Sequence, residues 1–205
     1  MIDLERLRAT PLEKEPFEYC IVPEFLSREV LDRVEADFPM IDQGGSFPLS
    51  SLTYGPGFAA LVEELRSDAV RDAFGKYFGI DLAGRPPTIT VRGRARGKDG
   101  QIHIDSKTKL ITVLIYFNRN WNAEGGRLRL LRSPDDIEDL IVEAPPESGL
   151  MMAFRCRENA WHGHKPHDGV RRSIQLNWVV DESAANRSER RHKWSSLLKR
   201  LRLAG

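Results

Sequence analysis

No stretch of the 205-residue chain approaches the eighteen or more apolar residues that a membrane span requires. The opening, MIDLERLRATPLEKEP, mixes charges and has no apolar run. No secretory signal is therefore expected, and a cytoplasmic location is the default. Cysteine is scarce. Cys20 and Cys156 are the only two, and they follow neither a metal-binding nor a redox spacing, so buried, reduced thiols are expected. An excess of charge of one sign is also lacking. Thirty-one Lys and Arg against thirty Asp and Glu leave a net charge of +1, which argues against a protein built wholly around nucleic acid. Internal repeats and low-complexity segments are absent too.

What is present divides by texture. Phe17–Pro23 alternates enough to be a strand. Ser27 is placed as an N-cap for SREVLDRVEADF, whose Val30, Leu31, Val34 and Phe38 recur at helical spacing before Pro39 stops the run. Gln43–Gly57 is rich in Gly, Ser and Pro and reads as a loop. Phe58–Phe78 has the period of one or two helices, with Leu61, Leu65, Val70, Phe74 and Phe78 inward. After Pro87 short runs dominate: TITVRGRA, QIHID, LITVLIYFN, RLRLL, LIVEA, LMMAFR and SIQLNWVV. Strand-length runs bounded by turn residues indicate a sandwich or barrel. The expected fold is mainly β with N-terminal helices, in jelly-roll form. It makes one domain over residues 1–185, with helical support at about 24–80 and a β core at about 87–181. A basic amphipathic segment, 186–205, follows.

The chemistry begins at His103-Ile104-Asp105. In a strand, residues i and i+2 project from the same face, so the imidazole and the carboxylate point together. One more imidazole completes the two-histidine, one-carboxylate set that binds non-haem Fe(II) and leaves positions open for other ligands. Zinc in a structural role would more often use thiolates, and no suitable cysteine pair exists. The third ligand comes from WHGHKPHDG. His162 is preferred because it follows the strand-like LMMAFR and precedes Gly163 and Pro166; His164 is the alternative. A bound 2-oxoglutarate needs a cation for its far carboxylate, and Arg suits it through its planar fork and permanent charge. Arg171 and Arg172 open the last strand and alternate in direction. Arg172 shares the face of Ile174, Leu176 and Trp178, which is taken as the interior; Arg171 shares that of Ser173, Gln175 and Asn177 and is the alternative.

These residues resemble the prolyl-4-hydroxylase-like branch of the Fe(II)/2-oxoglutarate-dependent dioxygenases. The matching pieces are HID; YFN followed by Trp121, Gly125 and Gly126; Gly149 and Phe154; WHG with Pro166; and RRSIQLNW. PEFLSREVLDRVEADFP is similar to the first helix of such proteins, so the likeness runs over roughly residues 17–180. It implies a double-stranded β-helix (jelly roll, cupin-like) with Fe(2+) inside its mouth, and 2-oxoglutarate and O2 as co-substrates. It implies Tyr116 as a hydrogen-bond donor to 2-oxoglutarate, and a basic residue about ten positions after the distal histidine, which fits Arg172. It implies hydroxylation of an unactivated C–H with release of succinate and CO2, since relatives that halogenate lack the carboxylate present here as Asp105.

The substrate is barely encoded: a small molecule, a glycan-type compound or a protein side chain all fit, and nucleic acid is not expected. Arg92, Arg94 and Arg96 share a face by strand alternation and could receive an anion or simply be solvated. In the C-terminal segment seven basic residues face a single Glu189, and Trp194, Leu197, Leu198, Leu201 and Leu203 recur at near-helical spacing. Such a helix either packs on the domain or rests on the inner face of a membrane. Two other classes compete: a non-catalytic metal-binding jelly roll, and a membrane-surface protein acting through that tail.

Overall fold

The computed structural model describes residues 2–201, with side chains described from Ile2 to Trp194. In chain order the elements are α1 (Leu4–Ala9), β1 (Tyr19–Val22), α2 (Arg28–Ala36), β2 (Phe47–Pro48), α3 (Pro56–Leu65), α4 (Asp68–Phe78), β3 (Pro87–Ala95) and β4 (Lys109–Tyr116). Then come β5 (Leu128–Leu131), β6 (Leu140–Ala144), β7 (Met151–Arg155), β8 (Trp161–Gly163), β9 (Gly169–Val179) and α5 (Glu182–Leu201).

The helices start where side-chain oxygens can satisfy orphan amides. Ser27 Oγ accepts from the Val30 amide at 3.4 Å, and Ser67 Oγ from the Val70 amide at 3.3 Å. That second cap divides the apolar run 58–78 into α3 and α4, and Gly79, at φ 63°, ends α4 in a left-handed turn. The opening helix α1, capped by Asp3, is too short to show a period and is absent from the sequence reading. The expected loop at 43–57 holds the two-residue strand β2 and a 3-10 turn at Leu49–Ser51.

Two antiparallel sheets form the β core. The larger runs β1-β7-β4-β9-β3-β2, the smaller β6-β5-β8. This is the double-stranded β-helix. Both faces of the larger sheet are covered. On one, Val91, Val113, Ile115, Ile174, Leu176 and Trp178 pack against Phe58, Leu61, Leu65 and Phe74 of α3 and α4. On the other, Leu114, Tyr116, Met152 and Phe154 meet Leu128 and Leu130 of the smaller sheet. Toward the open end this second face turns polar, because Arg171, Ser173, Gln175 and Asn177 of β9 point between the sheets.

The segment QIHID, expected as a strand, makes only one bridge, His103 to His162. His162 lies on β8, a strand of three residues that pairs with β5. Helix α5 packs on β2, β3 and β9, and Ser50 Oγ donates to Glu189 Oε1 at 2.9 Å. Of the expected apolar stripe Trp194 is exposed, and the side chains of Leu197, Leu198, Leu201 and Leu203 lie outside the described residues. Among the described residues no helix is long and apolar enough to cross a membrane.

Candidate metal centre

The His103–His162 bridge fixes the two backbones by a reciprocal pair of N–H···O bonds, each 3.0 Å. The two imidazoles stand with centroids 4.3 Å apart. Asp105 follows two residues after His103, and one ligand atom from each of His103, Asp105 and His162 lies within 4.8 Å of the others. Among the described residues these three form the group able to hold a metal ion.

Each ring is oriented from behind. Nδ1 of His103 is 2.8 Å from the Gln101 carbonyl and Nδ1 of His162 is 3.0 Å from the Ala160 carbonyl. A carbonyl can only accept, so each Nδ1 carries the proton and each Nε2 keeps its lone pair for a metal. Burial, aided by His103 and opposed by Asp105, pulls the His162 pKa down to about 4. It is neutral near pH 7, the form that ligates.

Asp105 is held by both oxygens. Lys109 Nζ donates to Oδ1 at 2.6 Å, and the Thr112 hydroxyl donates to Oδ2. Thr112 Oγ1 in turn accepts from Asn177 Nδ2 at 2.7 Å, so β9 steadies the carboxylate through β4. Burial works against the charged carboxylate, yet Lys109, His162 and these hydrogen bonds prevail and bring it to about 2. Cys156 Sγ lies 3.3 Å from Thr112 Oγ1; its thiol and that of Cys20 are pushed up to about 12, chiefly by burial, and both are free.

The donors open into a cavity of about 310 Å³ between the sheets. In it the choice between the paired arginines is reversed from expectation. Arg172 is exposed, its guanidinium 5.5 Å from the Phe38 ring and away from the cavity. Arg171 is buried at 4 % exposure, donates from Nε to the Gly126 carbonyl at 2.7 Å, and lies 5.4 Å from the Tyr116 ring centre. The apolar face of β9 is taken by the helical layer, which leaves the polar face to the cavity. Among the described residues Arg171 forms no ion pair, and the fully buried Tyr116 hydroxyl has no hydrogen-bond partner. A cation without an anion and a phenol without an acceptor are costly to bury. Together they fit a carboxylate-bearing co-substrate.

His164, the alternative third ligand, lines the cavity but lies outside the metal-holding group. Its Nδ1 donates to the Lys165 carbonyl at 2.8 Å, and burial beside Arg171 lowers its pKa to about 4. The ring lies flat against Gly100, where a Cβ would fall 2.4 Å from it and φ is +89°. Of the β3 arginines only Arg92 lines the cavity; β3 keeps its alternation through Ala95, and beyond Arg92 the pairing shifts by one residue on the β9 side. Arg94 lies 3.9 Å from Asp168, and Arg96 binds Asp99 at 2.9 Å. Lys109, Thr112 and Asn177 were missed in the sequence because only the fold brings them to Asp105.

Comparison with known proteins agrees with this geometry. Residues 91–180 match the model of the 2OG-Fe(II) oxygenase superfamily. A search of curated proteins finds no match. Among solved structures, a Pseudomonas putida prolyl-4-hydroxylase is similar at 13% identity and TM-score 0.57, covering 86% of this chain and 96% of that one. A Trichoplax adhaerens prolyl hydroxylase, solved with a hypoxia inducible factor peptide fragment, is similar at 19% identity and TM-score 0.56, covering 91% of each chain. A Phytophthora capsici prolyl 4-hydroxylase gives 16% and 0.57, covering 90% of this chain and 68% of that one. At these identities the likeness is one of fold.

Proposed function

We propose, from the match of residues 91–180 to the model of the 2OG-Fe(II) oxygenase superfamily, that this chain is a dioxygenase that hydroxylates an unactivated C–H bond. His103, Asp105 and His162 would hold Fe(II), and Arg171 with Tyr116 would hold 2-oxoglutarate. When bound, that pair supplies the oxidising chemistry: 2-oxoglutarate and O2 yield succinate, CO2 and a hydroxylated product. The observation that carries the reading is the convergence of three donors beside an unpaired buried guanidinium and an unpartnered phenol.

The chain's own work is positioning and exclusion of water. The backbone carbonyls behind His103 and His162 aim their Nε2 atoms at one point. Lys109 and Thr112 keep Asp105 ionised and oriented. Arg171 offers its fork to the far carboxylate, and Tyr116 donates to the same group. Leu114 and Leu128 line the cavity wall and limit hydration there.

A non-catalytic metal-binding jelly roll has no use for Arg171 and Tyr116, which favours turnover. For the substrate, the polar lining favours a small or glycan-type compound over a protein side chain. Contact between the basic C-terminal segment and an anionic membrane is a separate property, read by vesicle sedimentation before and after removal of the residues following Ala185.

The test is succinate formation with Fe(II) and 2-oxoglutarate, first alone and then with fractionated cell extract. The wild-type protein produces succinate, and His103→Ala or Asp105→Ala abolishes it. Near-normal succinate from either variant removes that residue from the metal site.

A further inference from the structure

The mouth of the cavity is closed on one side by α5. Ser188, Arg191 and His192, from its middle turns, line the same cavity as the metal donors. Thr88 and Thr90 of β3 and Gln175 of β9, strands on which α5 packs, line it as well. Hydroxyls and amides therefore line the space where a substrate must sit, and Ile104, Leu114 and Leu128 are its few large apolar residues.

The charges around this space do not balance. Of the lining residues, Arg92, Lys109, Arg171 and Arg191 are cationic, and Asp105 is the carboxylate. Lys109 pairs with Asp105 at 2.6 Å. Arg92 pairs with Asp99 at 3.0 Å, which Arg96 shares at 2.9 Å. Arg171 is assigned to the far carboxylate of 2-oxoglutarate. Arg191 then remains; among the described residues it forms no ion pair. It sits at the mouth, where solvent still reaches it.

We propose that α5 is a substrate-recognition element, and that Arg191 binds an anionic group on a small, hydroxyl-rich substrate presented to the metal. The proposal rests on the oxygenase reading of the site. Ser188, Thr88 and Thr90 supply hydrogen bonds to the hydroxyls, and Gln175 both donates and accepts. The anion can be a phosphate or a carboxylate, because a guanidinium fork fits both.

The test uses the full chain loaded with Fe(II) and 2-oxoglutarate without oxygen. The visible charge-transfer band of the iron–2-oxoglutarate chelate is recorded first. Glucose, glucose 6-phosphate and glucuronate are then titrated calorimetrically into wild type, Arg191→Gln and Arg187→Gln, the last altering a cation of α5 outside the cavity lining. The wild type binds at least one charged sugar and favours it over glucose; the phosphate and carboxylate arms show which anion. Arg191→Gln weakens that binding about tenfold or more, as loss of a charge-assisted hydrogen bond implies, and Arg187→Gln leaves it unchanged. Equal binding of charged and neutral sugars by the wild type, equal binding by Arg191→Gln, or equal loss in both variants overturns the proposal while the band stands. Absence of the band in the wild type overturns the oxygenase reading, and this proposal falls with it.

Discussion

At the residue scale, Arg171 and Arg172 are neighbours with opposite environments. Reasoning from apolarity selects Arg172, because its face carries Ile174, Leu176 and Trp178. That reasoning fails for a sheet covered on both sides. The more apolar face belongs to the helical layer, and a cavity that must take a charged co-substrate belongs to the polar one. The helical layer lies on the Ile174 side, as the packing of Trp178 5.2 Å from Phe74 shows. The two arginines therefore differ in kind. Arg171→Ala should raise the KM for 2-oxoglutarate in the succinate assay about tenfold or more, the worth of a charge-assisted contact. Arg172→Ala should leave it within a factor of about two, as an exposed substitution generally does. A reversed outcome would return the anchor to Arg172.

At the element scale, the sequence disclosed most strands after Pro87, because alternation, β-branched residues and turn signals coincide there. It did not disclose β8, three residues long, or the reduction of QIHID to one bridge. Short elements carry no period, and their pairing depends on distant partners. His103 and Asp105 were still legible as a pair, since extended backbone sends i and i+2 the same way even without a full ladder. The support behind them was not. Lys109, Thr112 and Asn177 reach Asp105 only because β4 and β9 pair Thr112 with Asn177. Thr112→Val keeps the shape and removes the hydroxyl that holds Oδ2. Supporting hydrogen bonds of this kind are worth about 10- to 100-fold in metal affinity. A titration with Mn(II) as a redox-quiet probe should show that loss, and unchanged affinity would mean that Lys109 alone orients the carboxylate.

At the scale of the whole molecule, the helical layer and the metal site share one sheet. Phe74 of α4 meets both Phe25, at 6.3 Å, and Trp178, at 5.2 Å, and Trp178 adjoins Asn177 in β9. The apolar side of that strand holds the sheet on its helices, while the polar side holds Thr112 and faces the cavity. Folding and site assembly are therefore linked: the Asn177–Thr112 hydrogen bond behind Asp105 forms only when β9 pairs in register with β4. Anything that binds the assembled donors stabilises the folded chain by mass action, about 2.7 kcal/mol at a hundred times the dissociation constant. For a domain of this size that corresponds to a rise in Tm of roughly 5–10 °C. Mn(II) with 2-oxoglutarate should give such a rise in the wild type. His103→Ala should lose the metal-dependent part, and Arg171→Ala the further increment that 2-oxoglutarate adds over Mn(II) alone. A rise that persists in full in both variants would place the stabilising ligands elsewhere on the chain, and with them the chemistry.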